Sequence, residues 1–238
     1  MDIKEPTEIK QIGRREAIGM LGAAGAAFTL GCGSESVTSP STTATTTTTI
    51  PGTSSTCAVT PTETVGPYPS LTDLIRSDIR EGRSGATLTL TIAVVNTNNS
   101  CNPVSGANVE IWQCDAAGNY SQYGTQTAQT YLRGIQTTNA NGEVTFTTVY
   151  PGWYQGRATH IHVEVVRNGA SVKVTQIAFP ESTNAAVYAT GVYASRGSNP
   201  TSNSSDGIFA DSLASELATV TGDSTSGYTA TFKVGISV

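Results

Sequence analysis

The stretch that decides the fold is HIHVEVVRNGASVKVTQIAF, residues 160–179. Both halves are rich in β-branched residues and place apolar side chains at alternate positions, which is typical of strands with one face in a core. Between the halves lies Arg167-Asn168-Gly169, and an Asn-Gly pair between two alternating runs favours a tight hairpin turn. The stretch therefore predicts two neighbouring antiparallel strands, His160–Val166 and Val172–Phe179.

Similar runs lie on both sides of this hairpin. They predict further strands at Thr87–Val95, Asn108–Gln113, Glu143–Val149 and Tyr228–Val234. Helical patterns are short and are limited to Leu71–Arg76, Asn184–Ala189 and Ile208–Leu217. Connections longer than hairpins need, which are typical places for functional sites, occur at 115–134, 150–159 and 180–227. We therefore predict an all-β fold, an antiparallel β-sandwich with long active-site loops and few short helices.

The composition excludes several classes of function. The 238 residues carry a formal net charge of −5 and only 13% charged side chains. Because no basic surface is available to neutralise nucleic-acid phosphates, we expect no nucleic-acid partner. The mean hydropathy of −0.13 excludes a membrane protein with many spans. The chain has two histidines, and both lie in the tripeptide His160-Ile161-His162.

Residues 1–32 are predicted to be an export signal. Arg14-Arg15 precede an apolar run, Ile18–Leu30, that is too short to span a bilayer. The paired arginines resemble a twin-arginine signal, and Leu30-Gly31-Cys32 resembles a lipoprotein box in which Cys32 becomes acylated. Thr29 stands where such boxes usually have leucine, so cleavage without lipidation and a retained anchor stay open. We expect a periplasmic or extracellular protein that contacts a membrane only through such an anchor.

A low-complexity segment follows at residues 33–56. From Ser34 to Thr56, 16 of 23 residues are Ser or Thr, which is too polar a composition to form a core and predicts a linker. The folded domain is then residues 57–238. An oxidising compartment allows one disulfide among Cys57, Cys101 and Cys114. We favour Cys57–Cys101 because both lie in polar loop sequence, which leaves Cys114 as a buried thiol.

His160 and His162 are the first candidates for a functional site. Because they are two apart on a strand, their imidazoles share one face and supply half of a four-ligand metal site. Ordinary half-buried histidines are the simpler interpretation. Glu164 lies on the same face, so a two-histidine, one-carboxylate site for Fe(II) or Mn is a further alternative. That alternative leaves unexplained the aromatic loops that contain Tyr120 and Trp153-Tyr154.

Four stretches, in order along the chain, carry a family resemblance. They are TPTETVGPYP (60–69), ANVEIWQCDAAGNY (107–120), YLRGIQTTNANGEVTF (131–146) and YPGWYQGRATHIH (150–162). Together they resemble the intradiol ring-cleavage dioxygenases, the superfamily of protocatechuate 3,4-dioxygenase, over about residues 57–180. The remaining residues, 181–238, are expected to add little beyond a last strand.

The resemblance implies one non-haem Fe(III) held by two tyrosinates and two histidines. The tyrosine of the AAGNY motif is Tyr120, that of PGWY is Tyr154, and His160 and His162 complete the set. Tyr123 is a rival of Tyr120, although the motif spacing favours Tyr120. Phenolate oxygens are hard ligands that favour Fe(III), and a trivalent ion deprotonates a tyrosine whose ordinary pKa is about 10.

The resemblance also implies residues that act on the substrate. Arg157 matches an arginine beside the bound substrate, where it stabilises the anionic ring electrostatically. Gln176 matches a glutamine near the oxygen pocket, and Tyr154 matches the tyrosinate that leaves the metal and takes up a substrate proton. The residues expected to shape the substrate pocket are Pro67, Tyr68 and Trp153. A surface charge for Arg157 and a hydrophobic lid for Trp153 are the simpler interpretations.

The implied function is cleavage of a catechol-type ring by O2 between its two hydroxyl-bearing carbons, which gives a cis,cis-muconate-type product. Because the chain carries the full set of ligand matches, we expect a monomer or a homo-oligomer. The alternative from another class is a surface-anchored β-sandwich binding module without a catalytic metal.

Overall fold

The computed structural model describes residues 57–238, and the predicted export signal (1–32) and linker (33–56) lie outside the described residues. Within this part the strands are β1 (Thr87–Asn96), β2 (Asn102–Pro103), β3 (Asn108–Trp112), β4 (Arg133–Thr137), β5 (Glu143–Val149), β6 (His160–Arg167), β7 (Ala170–Ala178), β8 (Thr219–Asp223) and β9 (Gly227–Ile236). The helices are α1 (Glu181–Tyr188), α2 (Leu213–Glu216) and three short 3-10 turns at Thr97–Asn99, Gly124–Gln126 and Gly191–Tyr193.

The strands form two sheets that pack as a β-sandwich. In the larger sheet the order is β8-β9-β1, and both β5 and β2 pair with the other edge of β1. The smaller sheet has the order β4-β3-β6-β7 and is antiparallel throughout. The predicted fold class is confirmed, with one addition: β1 and β9 pair in parallel, from Leu88 opposite Tyr228 to Asn96 opposite Ile236.

All six predicted strands are present within a few residues of their expected ends. The sequence reading missed β2, β4 and β8. The helix predicted at Leu71–Arg76 is wrong, because this segment is extended and its backbone exchanges hydrogen bonds with Ile135 of β4. The helix predicted at Asn184–Ala189 overlaps α1, and that at Ile208–Leu217 is helical only at α2.

The β6–β7 hairpin turns at Asn168 and Gly169. Arg167 pairs with Ala170, so the loop has two residues, and their φ values are 52° and 76°. Positive φ at both central residues is the turn whose twist matches that of two antiparallel strands. The hairpin predicted from the sequence is therefore confirmed.

The core lies between the two sheets. On the smaller sheet Val109, Ile111, Ile161 and Val163 face it and are fully buried. Because side chains alternate along a strand, the residues between them occupy the opposite, outer face of this sheet. That face carries both histidines.

Residues 57–72, here called the strap, run from the larger sheet onto the outer face of the smaller one. The strap is fixed at its start by a disulfide between Cys57 and Cys101, which confirms the favoured pairing, while Cys114 is a buried free thiol. Further along, Thr60 and Gly235 exchange two hydrogen bonds, and the buried Lys173 donates to the Thr60 carbonyl. Within residues 57–238, no helix is long and apolar enough to cross a membrane.

Candidate active site

A row of four side chains crosses the outer face of the smaller sheet. Arg133 pairs with Trp112, Trp112 with His162, and His162 with Gln176. Directly paired residues of antiparallel strands point to the same face, so these four side chains are neighbours. All four are fully buried, and the strap lies over the row at Gly66 and Tyr68.

His160 and His162 point their Nε2 atoms at each other, 3.2 Å apart. The Nδ1 of His160 lies 2.6 Å from the Ala158 carbonyl oxygen, which can only accept, so Nδ1 carries the proton and Nε2 presents a lone pair. Burial, reinforced by the charge of Arg157, lowers the pKa of His160 to about 3. Burial and the neighbouring His160 also lower the pKa of His162 well below its ordinary value. Both imidazoles are therefore neutral at pH 7, the state that binds a metal.

Trp112 fixes the plane of His162. The two rings stack in parallel with centroids 4.9 Å apart. On the other side Gly66 approaches so closely that an added Cβ would lie 2.8 Å from His162 Cε1. The imidazole is thus held between an indole and a glycine backbone, and its buried Nδ1 has no hydrogen-bond partner among the described residues.

Tyr120 reaches the histidines from the loop that follows β3. Asp115 folds this loop, because its Oδ1 accepts from the backbone N–H groups of Ala117 and Asn119. The Tyr120 hydroxyl lies 3.4 Å from His160 Nε2. The rival Tyr123 donates its hydroxyl to the Pro69 carbonyl, 2.8 Å away, and so is occupied elsewhere.

Tyr154 approaches from the loop between β5 and β6. Its ring centroid is 5.5 Å from that of His160 and 5.8 Å from that of Tyr120. Burial raises the pKa of Tyr120 well above 10 and raises that of Tyr154, and the positive charge of Arg157 opposes both rises. Both tyrosines are therefore neutral phenols unless a stronger positive charge is bound beside them.

The four predicted ligands, Tyr120, Tyr154, His160 and His162, fit an Fe(III) ion by donor type and by placement. His160 Nε2 lies 3.4 Å from the Tyr120 hydroxyl and 3.2 Å from His162 Nε2, and the Tyr154 ring packs against both Tyr120 and His160. A trivalent ion held here would supply the positive charge that ionises both phenols and would offset the burial that keeps them neutral. These residues are the ones that would hold the metal.

Glu164 lies on the same face of β6, two residues beyond His162. It pairs with Glu110 on one side and Val174 on the other, away from the imidazole Nε2 atoms. Among residues 57–238, no group of three His, Cys, Asp or Glu side chains is placed to hold a metal ion. The two-histidine, one-carboxylate alternative therefore has no support in this geometry.

Arg157 lies beside the tyrosines and is held from two sides. Its Nη1 is 3.5 Å from the Tyr154 hydroxyl, and its Nη2 donates to Gln176 Oε1 at 2.5 Å. Its Nε donates to Asp206 Oδ2 at 2.9 Å. Gln176 in turn donates to the Thr64 carbonyl of the strap. The structure thus brings Arg157 and Gln176 to the four candidate ligands.

The three predicted pocket residues differ in position. Tyr68 stacks on Tyr120 with ring centroids 4.6 Å apart. Pro67, its neighbour on the strap, is exposed. Trp153 is tied to another loop, because its Nε1 donates to the Gly197 carbonyl and the Arg196 guanidinium lies 4.2 Å from its ring centre.

Two residues that organise the site escaped the sequence reading. Arg133 is fully buried, donates to the Tyr68 carbonyl of the strap, and donates to both the hydroxyl and the carbonyl of Ser121 beside Tyr120. Asp206 lies in the segment 181–238, which was expected to add only a strand, and this expectation is wrong. Arg133 lies in the stretch YLRG (131–134) and Asp206 lies outside all four resemblance stretches, but no local pattern shows what either side chain binds. Only hydrogen bonds and an ion pair made across the fold reveal their roles.

Comparisons with known proteins agree with this geometry. The family model Dioxygenase_C, described as dioxygenase, matches residues 66–198, more than half of the chain. Catechol 1,2-dioxygenase of Candida albicans is 33% identical over 115 residues, which are 39% of this chain and 38% of that protein. The chain thus matches well under half the length of this curated relative.

Solved structures match a larger share of this chain than the Candida albicans enzyme does. An intradiol ring-cleavage dioxygenase from Tetranychus urticae is 34% identical, with a TM-score of 0.68 over 76% of this chain and 95% of the other. The dioxygenase domain of a carbohydrate-binding fusion from Streptomyces sp. SirexAA-E is 28% identical, with a TM-score of 0.60 over 76% and 99%. The matched segment, the sandwich and the sequence identity together show that this chain belongs to the intradiol ring-cleavage dioxygenase family.

Proposed function

We propose that the protein is an Fe(III)-dependent intradiol dioxygenase that uses O2 to open a catechol-type ring between its two hydroxyl-bearing carbons. The observation that carries this proposal is the cluster of two neutral imidazoles, the buried phenol of Tyr120 and the partly buried phenol of Tyr154. Bound Fe(III) would supply a Lewis acid that ionises the tyrosines and binds both oxygens of a catechol. The product expected is a cis,cis-muconate-type dicarboxylate.

The chain's own residues divide the remaining tasks. Tyr154 is partly buried and lies beside Arg157, so we assign it the uptake of a substrate proton, whereas the fully buried Tyr120 stays in place. The Arg157 guanidinium stabilises negative charge that develops on the ring. Gln176 binds that guanidinium at Nη2, and Asp206 binds it at Nε. Tyr68, Pro67 and Trp153 are proposed to line the substrate pocket.

The test is the visible spectrum of the full chain reconstituted with iron. Charge transfer from tyrosinate to Fe(III) gives a burgundy colour, and Tyr154→Phe should weaken this band and lower turnover by about 100-fold or more. Tyr123→Phe is the matched control and should leave the band in place. A colourless protein with one iron per chain would contradict the proposal.

Oxygen uptake then identifies the ring. Catechol, protocatechuate, hydroxyquinol and chlorocatechols differ in their substituents but share the two adjacent hydroxyls. Consumption of one O2 for each ring opened is the result expected for at least one of them. An iron-loaded burgundy protein that consumes O2 with none of the four would favour a binding role for this sandwich.

We also propose that the protein is exported and that Cys32 anchors it to a membrane. The disulfide between Cys57 and Cys101 supports an oxidising compartment, since such bonds are rare in reducing cytosol. Cell fractionation of the native chain against Cys32→Ser tests the anchor. Release of the variant alone into the soluble exported fraction supports it, and cytoplasmic retention of both contradicts export.

A further inference from the structure

Asp206 is a carboxylate with no exposed side-chain surface, and two of its three side-chain hydrogen bonds go to Arg157 and Ala158 at the site. Oδ2 accepts from Arg157 Nε at 2.9 Å and from the Ala158 backbone N–H at 2.6 Å. Oδ1 accepts from the backbone N–H of Ile208 at 2.8 Å, which fixes the carboxylate plane. Asp206 reaches this position from the long connection between α1 and α2, 49 residues beyond Arg157 in sequence.

The bond to Ala158 extends this connection to a candidate metal ligand. The N–H of Ala158 donates to Asp206, and its carbonyl accepts from His160 Nδ1 at 2.6 Å. One carboxylate therefore holds the backbone N–H of the residue whose carbonyl selects the His160 tautomer. It also fixes the guanidinium that faces Tyr154.

The hydrogen bonds of Arg157 leave it a single orientation. Nε donates to Asp206, Nη2 donates to Gln176, and the Asn199 side chain donates to the backbone carbonyl of Arg157. Nη1 is then the nitrogen that points toward the Tyr154 hydroxyl. A planar guanidinium bonded along two of its edges keeps the third edge fixed, which a flexible ammonium group would not do.

We propose that Asp206 is a positioning residue for the reaction: it aims Arg157 at the substrate and holds the 157–160 peptide in the conformation that turns His160 Nε2 toward the metal position. This inference rests on the proposed function for its effect on turnover. A buried ion pair contributes little net stability but constrains geometry strongly, which fits a role in orientation.

The first experiment uses Asp206→Asn and Asp206→Ala in the iron-reconstituted full chain. Both variants keep the positive charge of Arg157 but no longer hold it in position. We expect kcat to fall by about tenfold or more while KM changes by less than about threefold, because Arg157 acts on charge that develops during the reaction. Asp211→Asn, an exposed acid a few residues along the same segment, is the matched control and should keep wild-type kcat. Thermal midpoints of all variants identify any that fail to fold.

A double-mutant cycle separates orientation from general support of the fold. If Asp206 acts on turnover mainly through Arg157, then adding Asp206→Asn to Arg157→Gln should lower kcat by a much smaller factor than in the native chain, and the remainder reflects the bond to Ala158 beside His160. Additive losses in kcat, or a folded Asp206→Asn with wild-type kcat, would overturn the proposal.

A readout on the metal-free protein makes the inference independent of turnover. The Nε–H of Arg157 should exchange slowly with water in the native chain and quickly in Asp206→Asn, as followed by NMR with the signal assigned from Arg157→Lys. If the iron-loaded native chain cleaves no catechol, the proposed function fails and this measurement alone decides. Unchanged Nε–H exchange in a folded Asp206→Asn would overturn the positioning role.

Discussion

At the scale of single residues, the site consists of ionisable groups that burial keeps neutral. His160 and His162 have lowered pKa values, and Tyr120 and Tyr154 have raised ones. All four shifts have desolvation as their largest cause, so each group is in the form that carries no charge. A bound trivalent cation would reverse this preference for the tyrosines, and the same four side chains would then hold it as two phenolates and two neutral imidazoles.

The histidines predict how the stability of the metal-free protein depends on pH. Since the pKa of His160 is about 3 in the folded protein and about 6.5 when unfolded, the unfolded chain binds more protons between these values. Stability should therefore fall as the pH drops below 6.5, by up to about 1.4 kcal/mol per pH unit for each such histidine. Urea unfolding of the metal-free protein at a series of pH values measures this slope.

Glu216 must be replaced for that measurement, because its titration changes the free energy of unfolding with pH in the opposite direction. Burial raises its pKa to about 7, so the folded protein holds this proton more tightly and loses stability as the pH rises from 4.5 through 7. In a Glu216→Gln background the fall in stability below pH 6.5 should be steeper, and adding His160→Gln should make it shallower. Equal slopes with and without His160 would contradict the expectation.

At the scale of elements, the strap and the smaller sheet build the site together. The sheet supplies the row Arg133, Trp112, His162 and Gln176, and the strap closes over it. Gly66 is the strap residue that lies against His162. It combines a φ of 73° with an absence of space for any Cβ, so both its conformation and its surroundings require glycine.

Replacement of Gly66 by alanine should disturb His162. The variant is expected to lose about 1–2 kcal/mol because an L-residue is strained at this φ, and more because the new Cβ would lie 2.8 Å from His162 Cε1. Iron affinity should fall with it, measured by competition with a chelator.

Gly82→Ala is the matched control for this variant. Gly82 has a φ of 74° and nothing within 4 Å of an added Cβ, so it suffers the backbone strain alone. Its iron affinity should equal that of the native chain. Equal losses of stability and affinity in both variants would show that the contact with His162 has no effect.

At the scale of the whole molecule, distant segments meet around one sheet face. The start of the domain is joined to Cys101 by the disulfide and to β9 through Thr60, and the segment after α1 returns Asp206 to Arg157. The strap is therefore held at both of its ends, by covalent and hydrogen bonds at Cys57–Thr60 and by Arg133 at Tyr68.

Loss of the disulfide should destabilise the whole domain. The bond joins residues 44 apart, and the chain-entropy relation gives about 4 kcal/mol for a loop of this length. We expect Cys57→Ser/Cys101→Ser to lose roughly 2–4 kcal/mol in urea unfolding. Reductant should cause a similar loss in the native chain and none in the double variant. A native chain whose stability is unaffected by complete reduction would contradict this.

Local patterns were sufficient for most of the strands and for the ligand candidates. The Asn168-Gly169 turn and the alternation around it predicted the β6–β7 hairpin, and the two-residue spacing put His160 and His162 on one face. Leu71–Arg76 was predicted as a helix because its apolar residues have helical spacing, but backbone pairing with Ile135 draws it into an extended form. Tertiary hydrogen bonds override a weak local preference of this kind.

The sequence by itself determined the sandwich, the shared face of the two histidines and, through motif resemblance, the tyrosines expected beside them. The sandwich and the shared face follow from periodicity and spacing over a few residues, because the backbone geometry of a strand dictates which side chains are neighbours. The tyrosines follow from the family resemblance alone. Only the tertiary structure decided that Asp206 holds Arg157, that Arg133 lies beneath Tyr120, and that Gly66 confines His162. Each of these contacts joins residues 12 or more positions apart in sequence, and such contacts are selected by packing of the whole domain, because no local pattern specifies which distant group will satisfy a buried charge.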